Sequence, residues 1–305
     1  TRSGGGLIAF ELDSSADGLR LIDQQGIAAG SVLSAPAQMS VVGLGAGAAL
    51  VWTGGWATGL GGFRLDDQGR IGAAFTLGGG PSGVMTAQAL GVAGGTAYAV
   101  LAPAGGGELQ VWRMADSGRM ALAHQIALPD AAAGVDITAL HMARIGTGSF
   151  VVSLSAAQDA VTVYELSDAG RLTVTAKIGA AGGLGITTPS ALEVVQVAGK
   201  TWVFVAAAGS SSLSVLRLTG DGGISLTDHV IDTLDTRFQG ISALATAVVG
   251  DRVFVFAAGG DQGVQAFVLM PDGRLVAAGL QLATGALALD NVTALEAVVH
   301  GGRIE

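Results

Sequence analysis

The sequence predicts an all-β fold, a β-propeller of four-stranded antiparallel blades. Three observations carry this: a repeat of about fifty residues, a second marker in the same phase, and a rise in polarity across each repeat. The first marker is an apolar strand that runs into Asp, a small or polar residue, Gly and often Arg. It reads Asp66-Asp67-Gln68-Gly69-Arg70-Ile71, Asp116-Ser117-Gly118-Arg119-Met120, Asp168-Ala169-Gly170-Arg171-Leu172, Asp221-Gly222-Gly223-Ile224 and Asp272-Gly273-Arg274-Leu275. From Gly69 these glycines step by 49, 52, 52 and 51 residues. A shorter copy, Asp23-Gln24-Gln25-Gly26-Ile27, opens the series 43 residues before Gly69. The second marker is Ile137-Thr138-Ala139-Leu140, Pro189-Ser190-Ala191-Leu192, Ile241-Ser242-Ala243-Leu244 and Val292-Thr293-Ala294-Leu295, whose leucines step by 52, 52 and 51.

The copy from Pro189 to Asp232 shows how each repeat divides. Ser190 to Val197 reads as a first strand, with small residues at its start where inner strands must converge. After Ala198-Gly199-Lys200, the run Thr201-Trp202-Val203-Phe204-Val205-Ala206-Ala207 is apolar on both faces, as a strand covered on both sides must be. Leu213 to Leu218 alternates as a half-exposed strand does. Asp221-Gly222 then reads as a two-residue hairpin turn, since Asp-Gly tolerates positive φ, and Ile224-Ser225-Leu226-Thr227 begins a fourth strand. Counting copies places blades at about 39–80, 84–130, 136–180, 188–232 and 240–284. Residues 291–303 carry a first strand without a successor, and residues 7–34 carry second, third and fourth strands without a first. Their union predicts a sixth blade that closes the ring and removes free sheet edges, with a seventh as the alternative. Asp130-Ala131-Ala132-Ala133 is too short for a helix and reads as a linker. The whole chain is expected to be one propeller domain.

Composition limits the partners. Net charge is −9 and lysine occurs only at Lys177 and Lys200, so a nucleic-acid or anionic-lipid surface is not expected. Cysteine is absent, which excludes disulfides, thiolate zinc sites and Cys nucleophiles. No apolar run approaches the ~20 residues of a membrane helix, and no Sec-type signal is visible in the stretch from Thr1-Arg2-Ser3 onward. The start and the abrupt end at Ile304-Glu305 suggest a domain cut from a longer polypeptide, and the domain is expected to be monomeric.

Candidate chemistry falls on the loops before first strands and between second and third strands. These offer Asp136, Asp235, Asp290 and Asn291, and Asp13, Asp17, Asp159 and Asp261. Converging carboxylates there could hold a hard cation such as Ca²⁺, which takes six to eight oxygen ligands, although no Asp-x-Asp-x-Asp-Gly loop is present. The competing reading makes them turn formers and strand caps. Arg70, Arg119, Arg171 and Arg274 are expected at the opposite end as solvated turn residues. His124 and His229 fall on fourth strands, and His141 and His300 on first strands, with no zinc spacing among them. The serines lack a G-x-S-x-G elbow, Gly105-Gly106-Gly107 precedes no helix, and Trp52, Trp56, Trp112 and Trp202 read as core.

The blade phrase, an apolar strand followed by Asp-Gly-Arg-Leu as at 272–275, resembles that of the lactonase-like (6-phosphogluconolactonase-type) propellers. With its Gly and Ala bias, scarce lysine and absent cysteine, the chain also resembles the propeller-like region preceding calcium-binding repeats in bacterial RTX, hemolysin-type proteins. The second resemblance implies a non-enzymatic binding or scaffold module of a secreted protein, exported by type I machinery and presenting loops to a protein, glycan or surface. Calcium would then bind elsewhere in the parent chain and no cofactor within this domain. The first resemblance implies the alternative, a lactonase-like hydrolase with His, Arg and carboxylates converging on the axis. A metal-dependent propeller enzyme using Asp136, Asp290 and Asn291 is the third reading.

Overall fold

The computed structural model describes residues 6–13, 18–26, 36–44, 47–54, 60–76, 78–81, 83–128, 137–285 and 287–305. Its strands follow the repeat. A hairpin, β1 (Gly6–Asp13) and β2 (Gly18–Gly26), precedes five four-stranded antiparallel sheets. The first comprises β3 (Pro36–Leu44), β4 (Gly47–Gly54), β5 (Leu60–Leu65) and β6 (Ile71–Thr76). The second has β7 (Met85–Ala93), β8 (Thr96–Pro103), β9 (Glu108–Met114) and β10 (Met120–Ala127). The third has β11 (Ile137–Ile145), β12 (Gly148–Ser155), β13 (Ala160–Leu166) and β14 (Leu172–Ile178). The fourth has β15 (Pro189–Val197), β16 (Lys200–Ala207), β17 (Ser212–Leu218) and β18 (Ile224–Ile231). The fifth has β19 (Ala243–Val249), β20 (Arg252–Ala258), β21 (Gly263–Leu269) and β22 (Leu275–Leu282). A short hairpin, β23 (Val299–His300) and β24 (Arg303–Ile304), follows. Within each sheet every strand pairs with its sequence neighbour, which is the meander of a propeller blade.

The chain divides into two compact units, Thr1–Met142 with Glu165–Thr173, and Ala143–Tyr164 with Val174–Glu305. In the first, Val42, Ala49, Val51, Met85, Ala99 and Leu101 form a core, and Leu7 and Ala9 of the hairpin pack on Phe63 and Ile71. In the second, Val195, Trp202, Phe204, Phe238, Leu244, Val255 and Phe267 do so. Second strands are the most deeply buried and fourth strands the least: β16 is buried from Thr201 to Ala207, whereas β22 is exposed from Val276 to Leu282.

Four expectations are corrected. The described residues form five four-stranded blades, neither six nor seven. The terminal segments make two separate two-stranded sheets in place of a shared blade. The C-terminal one is only a hairpin because Gly301 and Gly302, both at positive φ, turn the chain directly after His300. Asp23-Gln24-Gln25-Gly26 is not a turn but part of β2, paired with β1. The copy that keeps the period is Asp17-Gly18, 51 residues before Gly69, so β1 and β2 correspond to third and fourth strands.

The fourth correction concerns the turn itself. Ser167 N–H donates to Arg171 O and Gly170 N–H to Ser167 O, and the same pair of bonds recurs at Ala115, Thr219 and Met270. That is a three-residue loop ending in a left-handed glycine, not a two-residue turn. Only the glycine takes positive φ, at 80° in Gly118, 83° in Gly170, 81° in Gly222 and 94° in Gly273.

The same glycines dock neighbouring blades, which explains their recurrence. A Cβ on Gly170 would stand 2.6 Å from Tyr98 Cε1, one on Gly222 2.5 Å from Thr175 Oγ1, and one on Gly273 2.7 Å from Trp202 Cζ3. Hydrogen bonds complete each dock: Tyr98 Oη to Asp168 O (2.8 Å), Thr175 Oγ1 to Gly222 O (3.0 Å) and Thr227 Oγ1 to Gly273 O (3.2 Å). The second marker has a similar basis. Ser190 Oγ donates to Ile241 O and Ser242 Oγ to Val292 O, each at 2.6 Å, so each small hydroxyl ties one first strand to the start of the next.

The residue before the first strand is left-handed at Thr188 (φ 50°), Gly240 (58°) and Asn291 (53°). Glycine and asparagine tolerate this conformation, whereas a β-branched residue is strained by it. Thr188→Asn therefore raises the unfolding free energy by about 1 kcal/mol, measured by urea denaturation; an unchanged or lower midpoint would contradict the strain.

Candidate active site

The loop residues singled out from sequence are mostly occupied with folding. Asp136 and Asp17 lie outside the described residues, and Asp13 ends β1. Asp159, at φ 45°, accepts the Thr188 N–H through Oδ1 at 2.8 Å and so fixes the entry to β15. Asp235 is an exposed residue of the 232–238 loop, its N–H donating to Thr233 Oγ1. Asp290 is exposed, and Asn291 sits in the left-handed position with its side chain against Gly260.

Asp261 differs from these. Its Oδ1 is buried without a hydrogen-bond partner. Burial, followed by the charge of Asp232, raises its pKa above the usual carboxylate value. Asp232 is itself committed, accepting from Thr236 Oγ1 (2.6 Å) and Phe238 N (3.1 Å). A hard cation needs several free oxygens at one point, and no group of three His, Asp or Glu side chains suited to a metal occurs among the described residues.

The nearest approach to a nucleophile and base is Ser214 Oγ, 2.8 Å from His229 Nδ1 across β17 and β18. Ser214 is fully buried, so a substrate has no route to it.

A different carboxylate stands out, one that sequence reasoning passed over. Glu193 is half-buried on β15 and lies directly across the ladder from Phe204, which is fully buried. Burial first, and the charge of Glu296 second, push its carboxyl up to about 7, against a hydrogen bond with Thr246 that favours the anion. Thr246 is on β19, and exposed Glu296 is in the segment tied to β19 by the Ser242–Val292 bond. A carboxyl half-protonated near neutrality, beside a solvent-facing second carboxylate, is suited to moving a proton to or from a reacting water.

The signal that could have found it is a register position. Each first-strand marker ends in Leu, and the next residue is His141, Glu193, Ala245 or Glu296. His141 holds on β11 the place that Glu193 holds on β15, and burial lowers its pKa. Of the turn arginines, Arg274 pairs with Asp272 at 2.8 Å with both side chains more than half exposed, an arrangement worth little to stability. Trp202 is core, flanked by Lys200 and Arg217.

No protein-family profile matches the sequence, and no characterised protein sequence matches it significantly. Solved structures do match. A periplasmic gluconolactonase of Pseudomonas aeruginosa superposes with a TM-score of 0.68 at 15% identity, over 94% of this chain and 79% of that one. A protein from Lactobacillus plantarum superposes with a TM-score of 0.63 at 20% identity, over 90% and 78% of the two chains. The chain therefore shares the β-propeller fold of these two proteins. The expectation of a non-enzymatic scaffold from an RTX-type protein is overturned by these neighbours, which favour the lactonase-like alternative. Neither the hemolysin-type assignment nor type I export gains support. Among the described residues no helix is long and apolar enough to cross a membrane.

Proposed function

We propose that the chain is a lactonase-like hydrolase that opens a small cyclic ester, with Glu193 as its general base. The observation that carries this is Glu193, a carboxyl brought to about 7 on an inner strand beside Thr246 and Glu296. The likeness to a protein described as a periplasmic gluconolactonase supports sugar-derived lactones as the substrate class and a location outside the cytoplasm.

In this reaction the Glu193 carboxylate takes a proton from water as the water oxygen attacks the lactone carbonyl. The tetrahedral intermediate collapses, breaking the ring carbon–oxygen bond. Protonated Glu193 returns the proton to the departing alkoxide, leaving a hydroxy acid and the enzyme as it began. Thr246 orients the carboxyl, and Glu296 keeps its proton affinity close to that needed at neutral pH.

The test is acid release from glucono-1,5-lactone, followed with a pH indicator against the uncatalysed background. A rate proportional to protein and saturable in lactone is expected. Release no faster than buffer alone, from folded protein across several aldonolactones, would refute the proposal.

A further inference from the structure

Three fourth-strand residues occupy one register position and do one job. Asp23 Oδ2 accepts the Ile71 N–H at 2.8 Å, and Asp228 Oδ2 accepts the Leu275 N–H at 2.7 Å. At the equivalent place on β10, His124 Nδ1 accepts the Leu172 N–H at 3.1 Å. Each bond fixes the first residue of a fourth strand to the blade before it. An imidazole can accept through Nδ1 only when that nitrogen carries no proton, so the bond requires the neutral ring with its hydrogen on Nε2.

We propose that His124 is a pH-sensitive latch, holding the Asp168-Ala169-Gly170 turn on the second blade when neutral and releasing it when protonated. A proton on Nδ1 turns the acceptor into a donor facing the donor N–H of Leu172, so the bond is replaced by repulsion. A carboxylate, as at the other two positions, offers only acceptor oxygens to the facing N–H.

Burial and then Arg171 oppose protonation of the ring, and further charged residues lie on the elements beside β10. From the docked turn come Arg171, whose charge opposes protonation after burial does, and Asp168. On the paired strand β9 stand Glu108, which accepts from Gln125, and Arg113. The histidine's folded pKa is lowered. Its contribution to stability is therefore complete above the ordinary value of 6.5 and is lost as pH falls below it, the opposite sense to a histidine that gains an acidic partner.

What the latch holds is more than one bond. With it the turn keeps Tyr98 Oη on Asp168 O and Gly170 against Tyr98 and Ala123. The docked turn also forms one wall of the groove lined by Tyr98, Arg113, Arg119 and Asp168, so its release opens that groove further.

Residue-resolved hydrogen exchange between pH 7.5 and 5 tests this, with the Leu275 and Ile71 amides as internal references. After correction for intrinsic rates, protection at Leu172 is expected to fall by about tenfold relative to Leu275 as pH drops from 7.5 to 5. In His124→Asp protection at Leu172 should no longer fall relative to Leu275 between pH 7.5 and 5. Imidazole ¹⁵N shifts of the wild-type protein provide a second measurement that needs no variant, with an unprotonated Nδ1 expected at pH 7.5. Protection at Leu172 that tracks Leu275 down to pH 5, or an Nδ1–H tautomer at pH 7.5, would overturn the proposal.

Discussion

Glu193→Gln is expected to lower kcat for lactone hydrolysis by about 100- to 10,000-fold while making the fold more stable above pH 7. The two effects share a cause. The native state holds Glu193 with its pKa raised from 4.5 to about 7, so it favours the protonated carboxyl. The associated stability is fully present below pH 4.5 and is lost as pH rises through 7. The 2.5-unit difference corresponds to about 3 kcal/mol at pH 8, and a neutral glutamine recovers most of it. Urea unfolding at pH 5 and pH 8 reads this directly: the variant should gain at pH 8 and barely differ at pH 5. A variant equally destabilised at both values would make Glu193 a packing residue, and one with undiminished kcat would remove it from the chemistry.

Gly222→Ala is expected to be among the most damaging single-methyl changes in the chain, at about 3 kcal/mol or more. Two costs combine at this residue. Its φ of 81° strains any side chain, and the new methyl would lie 2.5 Å from Thr175 Oγ1 and 3.0 Å from Phe150 Cε1. The obvious relief, swinging Thr175 aside, breaks its hydrogen bond to Gly222 O. Gly199 separates the two costs, because at φ 69° it has nothing within 4 Å of an added Cβ. Gly199→Ala should lose only the backbone part, about 1 kcal/mol. Equal losses at the two sites, measured by chemical denaturation, would mean that the glycine docks nothing.

The fold was legible because its two markers are steric. Gly222 and Gly273 recur since a neighbouring blade leaves no room for a methyl. Ser190 and Ser242 recur since their hydroxyls bond the next first strand. Such requirements repeat with the blade and print themselves as a period. What was misread depended on geometry that composition does not carry. Asp-Gly alone does not distinguish a two-residue turn from a three-residue loop with a left-handed end. Asp23 looked like a turn residue because nothing local shows that its carboxylate serves Ile71, 48 residues away.

The candidate site was less legible. Acidic residues in loops serve the fold, Asp159 by capping β15 and Asp232 by capping its own loop. Glu193 sits inside a strand, where one charged residue among valines reads as solvent-facing. Its burial comes from packing beside Phe204 and its altered acidity from Glu296, 103 positions further along the sequence. The function assigned from composition failed for a related reason: Ala and Gly bias and scarce lysine describe a surface, not a site.

The pH dependence of kcat/KM for glucono-1,5-lactone, measured on the wild type and on Glu296→Gln, tests the central claim most directly. With Glu193 as base, activity above background should rise with pH through an apparent value of about 7. Removing the neighbouring charge should carry that limb toward lower pH, since the anion of Glu193 then forms more readily. A limb that stays in place in Glu296→Gln, or a wild-type profile already level from pH 5 upward, would contradict it.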